Sequence, residues 1–259
     1  MKIGLALGSG GARGLAHIGV IKVLKKEGIK IDYISGTSIG SLVGAYYALN
    51  QDVSGLEEIA LSFTKRSLIN FMDFNNPKIS LIKGEKIKSF LFQLFGDKTF
   101  ADTKIKLKIG ATSLQDGSEV IISSGKLRDA VAASGSLPFF FPPQKYRGAH
   151  LIDGGIVDAT PIKIVKDMGA KAIIAVNLFG KTKRKIEDFT LIRQLEKVYE
   201  ILLSSSVKYQ IRPRDRIVML EPNTGNSFQL FAFDDAKRLI AIGQNETRKK
   251  MKKIKAMLK

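Results

Sequence analysis

The segment "ISGTSIGSL" (residues 34–42) decides the fold, because it places a G-x-S-x-G pattern, with Ser38 at its centre, between two structural elements. The short apolar segment 31–35 before it has strand character, and the apolar segment 41–50 after it is typical of a buried helix. A serine on a sharp strand-to-helix turn has the geometry of a nucleophile elbow. The alternative is a serine that caps the helix beginning near Ile39, since serine is a favoured N-cap residue.

The same order of strand, loop and helix already occurs once before Ser38. An apolar strand segment (2–7) leads into the glycine-rich "GSGGARG" (8–14), and an amphipathic helix follows (15–28). This rhythm is typical of a parallel sheet covered by helices. Further strands are predicted at 104–114, 118–125, 149–153, 170–179 and 216–220, and further helices at 53–71, 84–96, 126–137, from Pro161, at 188–210 and from 234. The sequence predicts an α/β protein, a three-layer αβα sandwich with a mostly parallel central sheet.

The composition limits the chemistry that the chain can perform. Of its 259 residues 44% are hydrophobic, which is ordinary for a globular protein with a sizeable core. The absence of cysteine excludes disulfides and thiol catalysis, and with only two histidines a transition-metal site is disfavoured. We therefore expect no metal and no cofactor. Glycines and Arg13 interrupt the apolar N-terminal segment, so no signal peptide is predicted, and we expect a cytoplasmic protein.

The net charge of +18 favours contact with phosphate groups. No zinc-finger, RNA-binding or basic-zipper pattern accompanies this charge, so we expect no nucleic-acid partner. The C-terminal "RKKMKKIKAMLK" (248–259) places Met251 and Ile254 on one face between lysines, as an interfacial helix on an anionic membrane would. An ordinary amphipathic last helix on a basic, soluble protein is the alternative. Nothing in the sequence indicates the oligomeric state.

Neither histidine is a convincing base for Ser38. His17 lies within the first helix pattern and is interpreted as a packed residue. His150 precedes Asp153 by three residues in the same predicted strand, so the two side chains point to opposite faces. Asp153 itself follows a strand, and an acid at a carboxyl strand end shares the rim of a parallel sheet with Ser38. The alternative is an aspartate that only starts a turn.

The glycine-rich loop 8–14 matches neither a P-loop nor a dinucleotide fingerprint in register. It does offer a run of backbone N–H groups at the start of a helix, which is a geometry that binds anions, including the oxyanion of an acyl-transfer intermediate. Arg13 adds a positive charge nearby. Close packing of strand against helix is the alternative reason for these glycines.

Together these places resemble the patatin-like phospholipases, serine lipid acyl hydrolases, and most of all their bacterial branch. The family's loop G-G-G-x-[RK]-G, its G-x-S-x-G elbow and its D-G-[GA] motif correspond in order to Ser9-Gly10-Gly11-Ala12-Arg13-Gly14, to Gly36–Gly40, and to Asp153-Gly154-Gly155. The segment 132–143 also resembles the family's proline- and phenylalanine-rich stretch before the aspartate. One departure is Ser9, which stands where the family has glycine and leaves open which amides face the site.

The resemblance implies a Ser38–Asp153 dyad that cleaves carboxylic esters of lipids or other acyl esters, with Gly10 and Gly11 as oxyanion donors and no cofactor. It implies a catalytic domain over 1–180, and we expect 181–259 to form a basic helical extension packed on it. The apolar segments 90–95, 138–143 and 230–233 are candidates for an acyl groove. The rival functions are a phosphate- or nucleotide-binding regulatory module and a catalytically weak membrane adaptor.

Overall fold

The computed structural model describes residues 1–64, 73, 76, 80–180, 190–205, 215–224 and 232–259. Within these residues eight strands form one sheet. They are β1 (Ile3–Leu7), β2 (Tyr33–Thr37), β3 (Lys106–Ser113), β4 (Glu119–Ile122), β5 (Gln144–Tyr146), β6 (Ala149–Asp153), β7 (Ala172–Val176) and β8 (Ile217–Leu220). Hydrogen-bonded neighbours follow the order β5-β6-β3-β2-β1-β7-β8, and β4 also pairs with β3.

The centre of the sheet is parallel, as predicted. Strand β1 pairs in parallel with β2 and β7, β2 with β3, and β7 with β8. Strands β4 and β6 run antiparallel to β3, and β5 runs antiparallel to β6. The predicted hairpin between 104–114 and 118–125 is therefore present, whereas β5 is a strand that the sequence pattern did not predict.

Helices cover both faces of the sheet, which confirms the layered α/β prediction. They are α1 (Leu15–Lys26), α2 (Ile39–Asn50), α3 (Ser54–Ser62), α4 (Glu85–Phe95), α5 (Leu127–Ser134), α6 (Ile162–Asp167), α7 (Leu191–Ser205) and α8 (Ala236–Met257). Alternate residues of β1 divide the core: Leu5 and Leu7 face the larger cluster with α1, α2 and α5, while Ala6 faces α6. This alternation follows from the two-residue period of a strand.

Strands β2 and β6 meet end to end along one edge of β3. Strand β2 ends with Thr37 opposite Gly110, and β6 ends with Asp153 opposite Ala111. Because β4 pairs with β3 over 109–112, it takes the other edge, so β2 and β6 must share this one. Asp153 thus reaches the end of β2 from an antiparallel strand, whereas we expected a shared rim of parallel strands.

The last helix belongs to the main core. A Cβ on Gly19 of α1 would lie 2.0 Å from the Ile240 carbonyl oxygen, and one on Gly243 of α8 would lie 2.0 Å from that of Ala16. The two backbones therefore cross in close contact. Ile254 is fully buried and Met251 packs against the same core. The interfacial interpretation of 248–259 is thus wrong, because its apolar face is covered by protein.

Some sequence predictions lie partly outside the described residues. The helix predicted over 53–71 ends at Ser62, and residues 65–72 lie outside the described residues. Of the helix predicted over 188–210, the described part is α7. The domain boundary near residue 180 stays a prediction. Among the described helices, none is long and apolar enough to cross a membrane.

Candidate active site

Ser38 occupies the turn between β2 and α2 in a strained conformation. Its φ of 55° and ψ of −126° lie in a region that costs a non-glycine residue about 1–3 kcal/mol. The Ser38 carbonyl accepts the amides of Ser41 and Leu42 and so begins α2. Its side chain makes no capping bond to the helix. The hydroxyl instead donates to Asp153 Oδ2 at 2.6 Å, so it does not serve as a helix cap.

The sharp turn exists because its glycines leave room for the backbone. A Cβ on Gly40 would lie 2.1 Å from the Leu7 carbonyl oxygen, and one on Gly36 would lie 2.5 Å from the Gly40 carbonyl oxygen. From α5, Ser134 fixes the turn from the side. Its Oγ accepts the Ser38 amide at 2.8 Å and donates to the Gly110 carbonyl at 2.6 Å. Ser38 is therefore hydrogen-bonded to three different elements, α2, α5 and β6.

Asp153 is buried, with 2% of its surface exposed, and both of its carboxylate oxygens have partners. Oδ2 accepts the Ser38 hydroxyl, and Oδ1 accepts the Gly155 amide at 2.7 Å. Burial raises the pKa of Asp153 to about 6, against the two hydrogen bonds, which lower it. Gly154 lets this segment pass β3, since a Cβ there would lie 2.2 Å from the Gly110 carbonyl oxygen.

The glycine-rich loop runs beside the Ser38 hydroxyl. Ser9, Gly10 and Gly11 line the same cavity as Ser38. Gly11 opens a 3-10 turn that leads into α1, and its φ of 56° favours glycine. Within the described part of the chain, the amides of Gly10 and Gly11 donate to no protein acceptor. Both residues line the cavity, so these amides are the candidate donors to a ligand there.

Ser9 is buried close to the Asp153 carboxylate of the dyad. A Cβ on Gly155 would lie 2.7 Å from Ser9 Oγ and 2.9 Å from Asp153 Oδ1. Ser9 Oγ and this carboxylate oxygen are thus less than 6 Å apart. The Ser9 amide donates to the Ala159 carbonyl at 2.8 Å, so it is not one of the available donors.

The remaining residues of the loop and the two histidines have structural contacts. Arg13 is buried outside the cavity, donates to the Leu178 carbonyl and lies over the Phe179 ring. A Cβ on Gly14 would lie 2.3 Å from side-chain atoms of Ile39, so this glycine permits close packing on α2.

His17 is fully buried, and its Nε2 donates to the Gly8 carbonyl at 2.8 Å. Burial lowers the pKa of His17 to about 4, so the ring is neutral at pH 7 and braces the loop. His150 is exposed beside Gln115, on the opposite face of β6 from Asp153. The structure brings together Ser38, Asp153 and the glycine loop, and it keeps both histidines away from the Ser38 hydroxyl.

A largely apolar cavity of about 250 Å³ extends from the dyad. It runs between α2, α3, α4 and α5. Its lining includes Leu42, Leu56, Phe63, Phe90, Leu91 and Phe233. The segments 90–95 and 138–143 thus contribute as predicted, the latter through Phe141 and Pro142. Of the predicted 230–233, residues 230 and 231 lie outside the described residues.

Sequence reasoning missed the contribution of α7. Tyr199 and Leu203 line the cavity from this helix, and a Cβ on Gly155 would lie 2.8 Å from Leu203 Cδ2. Tyr199 is buried and donates to the Pro138 carbonyl at 3.1 Å. Burial, and then the nearby charge of Asp153, hold the pKa of Tyr199 well above its usual range. Their spacing of four residues shows that they share a face of α7, but no motif links that face to the dyad.

Comparison with known proteins agrees with this geometry. The model of the patatin-like phospholipase family matches residues 5–166. Lysophospholipase nte1 of Aspergillus fumigatus is 38% identical over 179 residues, and lysophospholipase NTE1 of Debaryomyces hansenii is 37% identical over the same length. Both alignments cover 68% of this chain and 12% of the relative, so the chain spans a small part of these proteins.

Among solved structures, VipD from Legionella pneumophila has a TM-score of 0.53 at 14% identity, with 99% of this chain and 67% of that chain covered. This likeness shows the fold. The relatives named above are fungal and give no support to a bacterial branch. The matched family model spans the glycine loop, the Ser38 turn and Asp153, and the chain belongs to the patatin-like phospholipase family.

Proposed function

We propose that the protein is a serine acyl hydrolase that cleaves carboxylic ester bonds of lipids, with Ser38 as nucleophile and Asp153 as its base. The observation that carries this proposal is the 2.6 Å hydrogen bond from Ser38 Oγ to Asp153 Oδ2 at the end of an apolar cavity. A serine hydroxyl needs a base within hydrogen-bond reach to attack an ester near neutral pH.

In the proposed mechanism Ser38 Oγ attacks the ester carbonyl while its proton passes to Asp153 Oδ2. A carboxylate with a pKa near 6 is ionised at pH 7 yet is a stronger base than an ordinary aspartate. The oxyanion is bound by the amides of Gly10 and Gly11. Asp153 then returns the proton to the leaving alcohol, and an acyl-Ser38 ester remains.

Water completes the reaction. It attacks the acyl-Ser38 ester as Asp153 takes one of its protons, and the fatty acid leaves as Ser38 Oγ recovers a proton from Asp153. The two half-reactions use the same base and the same oxyanion donors. The backbone conformation of Ser38 places its hydroxyl away from α2 and within reach of Asp153.

We propose a lysophospholipid, a phospholipid with one acyl chain, as the substrate class. The cavity is lined mainly by apolar side chains, which suits an acyl chain. The two fungal relatives are named lysophospholipases, and that name supports the same class here. A cytoplasmic protein in peripheral contact with an anionic membrane fits this substrate. Membership in the bacterial branch of the family stays a prediction.

Replacing Ser38 tests the proposal. We expect Ser38→Ala to fold normally but to lose at least about a thousandfold in hydrolysis of a p-nitrophenyl ester, because the nucleophile is gone. The matched control is Ser62→Ala, which removes an exposed hydroxyl that bonds within α3. Labelling with a fluorophosphonate probe should modify Ser38 in the wild type. A folded Ser38→Ala variant with wild-type turnover would contradict the proposal.

A further inference from the structure

Ser9 has a buried hydroxyl that has no role in the steps proposed above. The residue is 3% exposed and lines the cavity together with Ser38. Its amide donates to the Ala159 carbonyl, but within the described part of the chain its Oγ has no hydrogen-bond partner. Burying a hydroxyl without a partner is unfavourable, so an unpartnered hydroxyl in the wall of a cavity indicates a polar ligand.

The Ser9 hydroxyl lies next to the Asp153 carboxylate. A Cβ on Gly155 would lie 2.7 Å from Ser9 Oγ and 2.9 Å from Asp153 Oδ1. The two oxygens are therefore at most about 5.6 Å apart, which is the span that one water bridges with two hydrogen bonds of about 2.8 Å. The third atom beside this position is Leu203 Cδ2, so the neighbouring wall of the cavity is apolar and offers a water no partner.

The other hydroxyls of the cavity wall already have acceptors. Ser136 Oγ donates to the Ala132 carbonyl at 2.7 Å, and the Tyr199 hydroxyl donates to the Pro138 carbonyl at 3.1 Å. A hydroxyl has a single proton, so neither group can also donate to a ligand. Apart from the nucleophile, Ser9 is therefore the hydroxyl of the described cavity wall that keeps both its proton and its lone pairs available.

We propose that Ser9 Oγ binds the water that hydrolyses the acyl-Ser38 ester. This inference rests on the proposed function, because it concerns the second half-reaction. In acyl-Ser38 the serine oxygen has no proton, so Asp153 Oδ2 loses the donor that it has in the free enzyme. Asp153 Oδ1 keeps the Gly155 amide. A bound water needs at least two polar partners, and Asp153 Oδ2 and Ser9 Oγ supply them.

The water is consumed in a balanced step. Its oxygen bonds to the acyl carbonyl carbon as one of its protons passes to Asp153 Oδ2. Its second proton stays on that oxygen and donates to Ser9 Oγ, which accepts the hydrogen bond without changing its own protonation. The bond from the carbon to Ser38 Oγ then breaks, and Asp153 returns the proton to Ser38 Oγ. The products are a carboxylic acid and the free serine. Ser9 therefore acts in deacylation and has no part in acylation, where Ser38 Oγ is the attacking atom.

The experiment measures the two half-reactions separately in Ser9→Ala. With enzyme in excess over a p-nitrophenyl ester, release of p-nitrophenolate reports acylation. The mass of the intact protein in quenched samples reports the acyl-enzyme and its decay. The control is Ser113→Ala, which removes the hydroxyl of a serine that is 7% exposed and does not line the cavity. Ser9→Gly, which introduces the residue of the family's loop motif, serves if Ser9→Ala does not fold.

We expect acylation in Ser9→Ala to stay within about twofold of the wild-type rate, while the acyl-enzyme persists at least about tenfold longer, because the attacking water loses one of its two partners. Ser113→Ala should match the wild type in both steps. An unchanged acyl-enzyme lifetime in the folded Ser9 variant overturns the inference. Equal slowing of both steps also overturns it, since that result assigns Ser9 to oxyanion binding or to the structure of the loop. A wild type that forms no acyl-enzyme contradicts the proposed function itself.

Discussion

At the scale of single residues, the site depends on the environment of one carboxylate. Asp153 has the ordinary chemistry of an aspartate, but burial raises its pKa to about 6. Its two oxygens are fixed by different partners, Ser38 and Gly155. The absence of a histidine near Ser38 is therefore no obstacle to its activation, since burial gives the carboxylate a basicity near that of an imidazole.

The pKa of Asp153 predicts the pH dependence of activity. The base accepts a proton only when it is ionised, so kcat/KM should be constant above about pH 7 and fall as pH drops through about 6. The measurement is a pH–rate profile on a dissolved ester substrate, with protein stability checked at each pH. A profile that remains flat down to about pH 4 would show that the ordinary pKa of an aspartate applies.

The same pKa has a consequence for stability. In the folded state Asp153 binds its proton more tightly than in the unfolded state, where its pKa is near 3.8. As pH rises from about 4 to about 7, the wild type should therefore lose about 2 kcal/mol of unfolding free energy relative to Asp153→Asn. Urea unfolding of both proteins across this range measures the difference. Parallel pH dependences would mean that burial of this carboxylate costs little.

At the scale of elements, the dyad joins strands of opposite direction. The turn after β2 and the end of β6 meet along one edge of β3 because β4 takes the other edge. The elbow motif predicts the Ser38 turn, since its glycines allow the backbone to approach closely. It does not predict that Ser134 of α5 binds the Ser38 amide, because that contact joins residues 96 positions apart.

Helix α7 offers a test of how burial sets the pKa of Asp153. Removing the ring in Tyr199→Ala should admit water to the carboxylate and lower its pKa, so the acidic limb of the pH–rate profile should move to lower pH. Tyr199→Phe is the matched control, because it keeps the ring and loses only the hydrogen bond to Pro138. A limb that stays in place in a folded Tyr199→Ala variant would assign this helix a purely structural role.

At the scale of the whole molecule, the net charge and the exposed apolar residues both affect how the protein meets an anionic surface. The excess of 42 basic over 24 acidic residues creates a long-range attraction to anionic surfaces, whereas the exposed apolar residues act only on contact. The amphipathic C-terminal helix illustrates why sequence pattern alone misleads here. A stripe of apolar residues between lysines has the same periodicity whether it covers a core or a membrane.

The net charge predicts salt dependence of membrane binding. Vesicles with phosphatidylglycerol should bind the protein strongly at low salt and several-fold more weakly at about 1 M salt, where the Debye length is about 3 Å. Vesicles of phosphatidylcholine alone are the control and should show little salt dependence. Binding to anionic vesicles that does not change with salt would mean that the basic surface contributes only to solubility.

The sequence by itself determined the layered α/β fold and the sharp turn at Ser38, because these depend on local periodicity and on glycines at fixed spacing. The pairing of Ser38 with Asp153 was what the resemblance to the family implied. Only the tertiary structure decided the antiparallel approach of Asp153, the bracing of Ser38 by Ser134, the wall formed by Tyr199 and Leu203, and the burial of the last helix. These features depend on contacts between residues far apart in the chain, and on how much water those contacts exclude from Asp153. No local sequence pattern specifies these long-range contacts or the exclusion of water from Asp153.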